Sequence, residues 1–236
     1  MQALRNHPSI QRIAKALPYE ATLYVVGGAV RDALLDRPIT DLDLVAAGVT
    51  IADLKQALTK LGDVDGSGEG WGVLGLTLGD QRIDVALPRE EIQKKGDGHY
   101  FDARVTAQPN LPIIDDLRRR DFTINAMALD VRTGELIDPF HGEVDVQHKT
   151  LRTVGNPVTR FGQDHSRILR CLRFATQLGF TIEPITWEGL RTVVQQVGQL
   201  KVPKRIWEQE FAKAAEANLP TYHEWLRKAG IERLHA

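Results

Sequence analysis

The chain has 236 residues, 42% hydrophobic and 26% charged, with a formal net charge of −1. That composition suits a folded chain with a proper core, arranged as one large domain or two small ones. Near-neutrality excludes binding to polyanions by bulk charge, while leaving room for a local basic face. Cys171 is the only cysteine, which rules out an intrachain disulfide and argues against a cysteine-based zinc site. There is no apolar run of membrane-spanning length and no signal-peptide core in "MQALRNHPSI", so the expectation is a cytoplasmic chain with no membrane association.

Pro8 to Leu17 reads as a short helix, and "TLYVVG" as a strand that stops at glycine. Ala29 to Leu35 has helical spacing and ends before Pro38. "DLDLVA" alternates and reads as a second strand. "IADLKQALTKLG" is an amphipathic helix with a glycine at its end. "GSGEGWG" reads as a flexible loop, and "VLGLTLGDQRIDVALP" as a hairpin turning at Gly79-Asp80. The polar segment Arg89 to Pro112, with "KKGDGHYF" in its middle, reads as one long mobile loop. From about Phe161 onward the pattern is helical, and "GNP" at Gly155 to Pro157 marks a domain boundary. The chain is thus expected to be α+β, with a mixed head followed by a small helical domain.

Residues two apart on a strand share a face, so Asp41 and Asp43 are expected side by side, with Leu42 and Leu44 turned into the core. An isolated D-x-D is more often a solvated strand edge. Two carboxylates that close also repel each other and call for a cation, and hard oxygen ligands suit Mg2+. Gly27 and Gly28 favour the second reading, because glycine lets backbone N–H groups approach a phosphate, and Arg31 lies one turn further on. Gly-Gly, then twelve residues, then Asp-Leu-Asp-Leu is similar to the signature of the DNA polymerase β-like nucleotidyltransferases. In "RIDVAL", Asp84 points away from Ile83, Val85 and Leu87. It is either a third acidic group of the site or a solvent-facing strand residue.

"DLRRRDFTINAMALD" places arginines before an aspartate and an apolar segment. Either this is a surface patch, or Arg120 clamps a phosphate while Asp121 and Asn125 bond ribose hydroxyls. In "RFGQDHSRILRCLRFATQLGF", Arg167, Arg170 and Arg173 fall on one side of a helix, opposite an apolar stripe. Asp164 lies one turn before Arg167. A carboxylate only accepts hydrogen bonds and a guanidinium only donates them. Together they match the edges of cytosine and adenine and mismatch uracil and guanine.

In chain order, "GGAVRD", "DLDL", "RRDFTINAMA", "DPFHGEVD" with "LRTVG", and "DHSRILRCLRFATQLGF" resemble the class II, bacterial-type tRNA nucleotidyltransferases, a family of CCA-adding enzymes that includes bacterial poly(A) polymerases. The resemblance runs from Leu23 to about Phe180. It implies a polymerase β-like head, a mixed sheet with flanking helices, over residues 1–155. A helical neck carrying the nucleotide-template helix would follow over 156–236. It implies tRNA, CTP and ATP as partners. Asp41 and Asp43 would hold Mg2+. Gly28 and Arg31 would contact the incoming CTP or ATP, and Arg120 and Asp121 would hold phosphate and ribose. Asp164 and Arg167 would read the base, supported by Arg170 and Arg173. The long Arg89–Pro112 segment would match the loop that helps switch from C to A addition.

Two departures stand out. Gln163 precedes Asp164 where the family usually has Glu, and the chain stops at Ala236, where members usually continue into further helical domains that hold tRNA. Lys201, Lys204, Arg205, Arg227 and Lys228 are either phosphate contacts or a solvated helix surface. The alternatives to CCA addition are a partial CC- or A-adding enzyme, a poly(A) polymerase, or a nucleotide- or RNA-binding module without catalysis. His99 and His165 are expected at the surface, and Trp187, Trp207 and Trp225 in the core. Oligomeric state is left open.

Overall fold

The structure is a computed structural model that describes residues 1–92 and 104–231. It has two compact units, Met1–Ile92 with Val105–Val146, and the residues from Gln147 onward.

The first unit opens with α1 (Gln2–Arg5) and α2 (Pro8–Ala16). Pro8 starts α2 because its missing N–H would find no partner in a first turn anyway. β1 (Thr22–Val26), α3 (Gly28–Leu34), β2 (Leu42–Ala47), α4 (Ile51–Thr59) and β3 (Asp63–Asp65) follow. Thr50 caps α4 by accepting from the Asp53 amide at 3.2 Å. β4 (Val73–Leu78) and β5 (Gln81–Ala86) form the expected hairpin. β6 (Arg89–Ile92), β7 (Arg104–Ala107), α5 (Ile113–Arg118), β8 (Ala128–Asp130), β9 (Leu136–Ile137) and α6 (Gly142–Gln147) complete the run.

Seven strands form one mixed sheet in the order β3-β4-β5-β2-β1-β8-β9. β2 and β5 run parallel, and β1 runs antiparallel to both β2 and β8. Leu42, Leu44, Ile83 and Val85 are buried, as the strand alternation requires, while Asp43 and Asp84 stay exposed.

Two loop expectations need correction. "GSGEGWG" contains a 3-10 turn at Glu69–Trp71, and a Lys55 Nζ to Glu69 ion pair at 2.6 Å braces it. The Arg89–Pro112 segment is not one continuous loop. β6 and β7 pair as a two-stranded sheet near its ends, and α5 contacts β6. The residues between these strands, including "KKGDGHYF" and His99, lie outside the described ones.

The second unit contains β10 (Thr150–Leu151), α7 (Pro157–Gln163), α8 (Ser166–Leu178), β11 (Thr181–Ile182), α9 (Pro184–Val197) and α10 (Lys204–Ala229). The pattern is not purely helical, because β10 and β11 pair in parallel. Asn156 and Glu183 cap α7 and α9, each followed by a proline at the first helical position. α10 breaks at Asn218, whose side chain accepts from the Thr221 amide at 3.0 Å, and Pro220 follows the break. α8 packs mainly on α10. Trp187, Trp207 and Trp225 are half-buried, with Trp187 and Trp225 edge to face at 5.5 Å. Among the described residues, no helix is long and apolar enough to cross a membrane.

Candidate active site

β1 ends at Val26, which pairs with Asp43. The chain then turns through Gly27 at φ 71°, ψ −131°, a backbone region in which a side chain is strained. A Cβ at that position would fall 2.8 Å from Arg120 Nη1 and 3.8 Å from Asp43 Oδ2. The glycine turn, Arg120 and Asp43 therefore converge, and glycine is required there twice, for its φ and for its lack of a side chain.

Asp43 and Asp84 are partners across the parallel β2–β5 ladder, and Asp41 lies one residue ahead of β2. The Asp43 carboxylate reaches solvent but is crowded by protein on its other sides. This partial burial raises its pKa. The Arg120 charge opposes the rise, the negative charges of Asp84 and Asp41 add to it, and Arg89 also opposes it. The closest ion pair of Asp84 is with exposed Arg82, at 3.7 Å, which is weak support.

Arg31, Asn125 and Asp121 form a buried chain. The Arg31 fork donates to both oxygens of Asp32 at 3.0 and 2.9 Å, and its Nη1 donates to Asn125 Oδ1 at 2.6 Å. Asn125 Nδ2 donates to Asp121 Oδ1 at 3.3 Å, an oxygen that also accepts from the Phe122 amide at 2.9 Å. Gly28 lies against this network, since a Cβ there would sit 3.4 Å from Arg31 Nη2. Asp32 therefore neutralises much of the charge that Arg31 was expected to offer a phosphate. The "DPFHGEVD" segment braces the same region. Asp145 Oδ2 accepts from the Thr123 hydroxyl at 2.7 Å, and Asp138 accepts from the Gly142 and Glu143 amides at 2.7 and 2.9 Å.

Three residues missed in the sequence complete this group. Asp116 is fully buried and accepts from Arg119, Arg120 and the Arg89 amide. Burial alone would raise its carboxyl, but the Arg119 and Arg120 charges and the hydrogen bonds outweigh that and hold it low. Among the described residues, the buried Nε of Arg89 has no hydrogen-bond partner. Burial and then the Arg119 charge depress its guanidinium to about 10, despite the opposing pull of Asp116 and Asp43. Arg120 is likewise lowered, first by burial. The Arg119 and Arg120 guanidinium groups and the Arg89 backbone amide share one buried carboxylate, and the Arg89 guanidinium lies near enough to feel all three charges, a concentration of cationic groups suited to an anion. The usable sequence signal was Asp116 at i−3 and i−4 to Arg119 and Arg120 on a helix; nothing local marked Arg89.

In the second unit, Asp164 follows α7 and its Oδ1 accepts from the Ser166 amide at 2.9 Å, which starts α8. Its Oδ2 lies 4.0 Å from Arg167 Nε. Gln163 Oε1 accepts from Arg160 Nη1 at 3.0 Å and from Arg167 Nη1 at 3.3 Å, and Arg167 Nη1 also donates to the Arg160 carbonyl at 3.1 Å. The amide oxygen thus bridges two arginines without a charge of its own. The arginine side of α8 is not a solvated face. Arg167 and Arg173 are buried, and acids absent from the helix itself come from α10. Arg173 Nε donates to Glu210 Oε2 at 2.5 Å, and its Nη1 to Gln177 Oε1 at 2.5 Å. Arg170 lies 3.8 Å from Glu210 Oε1, and both arginines stack over the Phe174 ring. His165, expected at the surface, is 1% exposed, because its Nδ1 accepts from the Lys201 amide at 2.9 Å.

Among the described residues, no three His, Cys, Asp or Glu side chains converge as a self-sufficient metal cage. Asp43, with Asp84 and Asp41 near enough to raise its pKa, is a donor set that fits a hard divalent cation. Mg2+ in particular is commonly held by one or two carboxylates plus substrate phosphates.

Residues 23–152 match the family described as the poly A polymerase head domain. A CCA-adding enzyme of Streptococcus pneumoniae is 36% identical over 203 residues, covering 85% of this chain and 47% of that protein. The crystal structure of the Bacillus stearothermophilus CCA-adding enzyme in complex with CTP is similar, with a TM-score of 0.76 at 27% identity, covering 94% of this chain and 51% of that one. The Thermotoga maritima CCA-adding enzyme complexed with tRNA_CCA gives 0.78 at 28% identity, covering 98% and 53%. The chain therefore spans about half the length of the curated relatives it matches.

Proposed function

The chain belongs to the poly A polymerase head domain family, and from that premise we propose that it is a nucleotidyltransferase that builds the CCA end of tRNA from CTP and ATP in the cytoplasm. The observation that carries this reading is the convergence of Gly27, Arg120 and Asp43, with Asp84 opposite Asp43. It brings a turn open to phosphate, a guanidinium and acidic side chains together at one end of β1.

In this reading Asp41 and Asp43 hold Mg2+, with Asp84 as the third acidic group. When bound, the ion offsets charge on the phosphates and favours the ionised tRNA hydroxyl. The 3′-hydroxyl oxygen bonds to the α-phosphorus, the bond to the bridging oxygen breaks, and pyrophosphate leaves. The hydroxyl proton passes to a carboxylate of the same set. Gly27 and Gly28 leave room for the phosphates. Arg120 donates to them, with Arg31 held beside it, and stabilises the charge that develops. Asp121 and Asn125 bond the ribose hydroxyls. Asp164 and Arg167 select C and A by accepting from the amino group and donating to the ring acceptor. Gln163 orients Arg167, while Arg170 and Arg173 support it from positions tied to Glu210.

The test is extension of tRNAs ending before CCA, after C and after CC, each given Mg2+ and one nucleoside triphosphate, on a single-nucleotide gel. Stepwise addition of C, C and A with no U or G is expected. C alone or A alone would make this a partial enzyme, and long A tails a poly(A) polymerase. Absence of extension would overturn the reading, and Mg2+-dependent nucleotide binding without extension would leave a binding module in its place.

A further inference from the structure

We propose that Asp116 is a positioning residue for the nucleotide site, acting through Arg120 and touching no substrate itself. The inference rests on the nucleotidyl-transfer reading above. Asp116 is fully buried on α5. Its Oδ1 accepts from the Arg89 amide at 3.0 Å and from Arg119 Nε and Nη2 at 3.0 and 2.8 Å, while Oδ2 accepts from Arg120 Nη2 at 3.3 Å. The carboxylate has no exposed surface, so a ligand cannot reach either oxygen.

The other arm of Arg120 reaches forward. Nη1 donates to the Asn125 carbonyl at 3.4 Å and lies 2.8 Å from where a Cβ on Gly27 would be. Arg120 is thus held between a buried anchor and the glycine turn. A guanidinium freed from that anchor has many rotamers, and the carboxylate it would turn to is Asp43, which already interacts with it. Such a pair would remove a phosphate donor and tie up a metal-binding carboxylate at once. Asp116 prevents both by holding Nη2 from behind. Through the Arg89 amide the same carboxylate also fixes the start of β6 to α5.

Asp116→Asn is nearly isosteric. It keeps an acceptor for the Arg89 amide but puts an amide group where Oδ2 met Arg120. CTP binding, measured by calorimetry with Mg2+, is expected to weaken roughly tenfold, the scale of one charge-assisted hydrogen bond. In an Arg120→Gln background the same change is expected to cost less than about twofold, because interacting residues are not additive. Arg120→Lys keeps the charge but not the two-armed reach. It is expected to lose about the same factor as Asp116→Asn, which keeps the test open should Asp116→Asn melt too early. Equal factors for Asp116→Asn in both backgrounds, or wild-type CTP binding by Arg120→Lys, would overturn the proposal. Wild-type protein that binds CTP with the expected coupling but extends no tRNA would sink the functional reading and leave Asp116 in this role. Wild-type protein that binds no CTP would overturn both.

Discussion

Asp43 faces Asp84 across the parallel β2–β5 ladder, and the Asp84 charge adds to the burial that makes Asp43 harder to ionise. The raised Asp43 carboxyl means that the folded chain holds this proton more tightly than the unfolded chain does. Stability at this group is therefore present at low pH and is lost as pH climbs from the ordinary carboxylate value through the raised one. Asp43→Asn removes the loss. In EDTA at neutral pH the variant is expected to melt roughly 2 °C above wild type, the scale of a fraction of a kcal/mol in a chain of this size, with the gap closing in acid. Added Mg2+ is expected to raise the wild-type melting point and leave the variant unmoved, and tRNA extension by the variant should vanish. A variant that melts at or below wild type in EDTA would show that carboxylate repulsion is not stored here.

Asp116 has the opposite sign. Its carboxyl is held low by Arg119 and Arg120 against the effect of burial, so its contribution is complete above the ordinary carboxylate value and is lost as pH falls through the lowered one. Asp116→Ala leaves buried guanidinium groups without their counter-charge, a change that costs about 3 kcal/mol. The expected melting-point deficit is large at neutral pH and shrinks toward strong acid, where wild type loses the same interaction. A deficit independent of pH would assign the cost to the cavity alone.

The contrast between Asp43 and Asp116 explains what the sequence could and could not reveal. Gly27, Asp43 and Asp84 obey local rules: a glycine at a strand end, and side chains that alternate along strands buried on one side. Arg31 illustrates a partial reading, because its position was evident but its capture by Asp32 and Asn125 was not. Arg89 and Glu210 act through distant partners. Nothing in the local sequence marks Glu210, which sits against Arg173 from 37 positions away. His165 was misread for the same reason, since its partner is a backbone amide 36 residues on. The β6–β7 pairing was hidden because β6, Arg-Glu-Glu-Ile, lacks the apolar alternation that marks a half-buried strand, and the alternation of β7, Arg-Val-Thr-Ala, is too short to stand out.

Arg89 tests whether positive charge near Asp43 serves binding or packing. Its Nε is buried without a hydrogen-bond partner among the described residues, and Arg119 and Arg120 both disfavour its charge. Arg89→Met keeps the apolar stem and removes the charge. Unfolding temperature is expected to hold or rise, because repulsion is relieved, while the Kd for CTP is expected to rise about tenfold through loss of a phosphate donor. A drop in stability with unchanged CTP affinity would make Arg89 a structural residue.

Gln163 supplies one neutral oxygen to both Arg160 and Arg167. Restoring the carboxylate by Gln163→Glu turns two hydrogen bonds with charge on the donor alone into ion pairs with charge on both sides. Burial and salt screening reduce the gain, so about 1 kcal/mol is a reasonable scale, equivalent to a melting shift of roughly 2–4 °C for a chain of this size. A better-fixed Arg167 presents its donors to the base with less freedom. Incorporation of U and G in place of C and A is therefore expected to fall in Gln163→Glu, measured as the ratio of single-nucleotide extension rates, while the pH and Mg2+ dependence stay as in wild type. If stability rises but the ratio does not move, Gln163 supports the fold of α7 and α8 and has no hold on nucleotide choice. If misincorporation rises instead, the neutral glutamine is itself the tuned partner, and the added charge has drawn Arg167 away from the base.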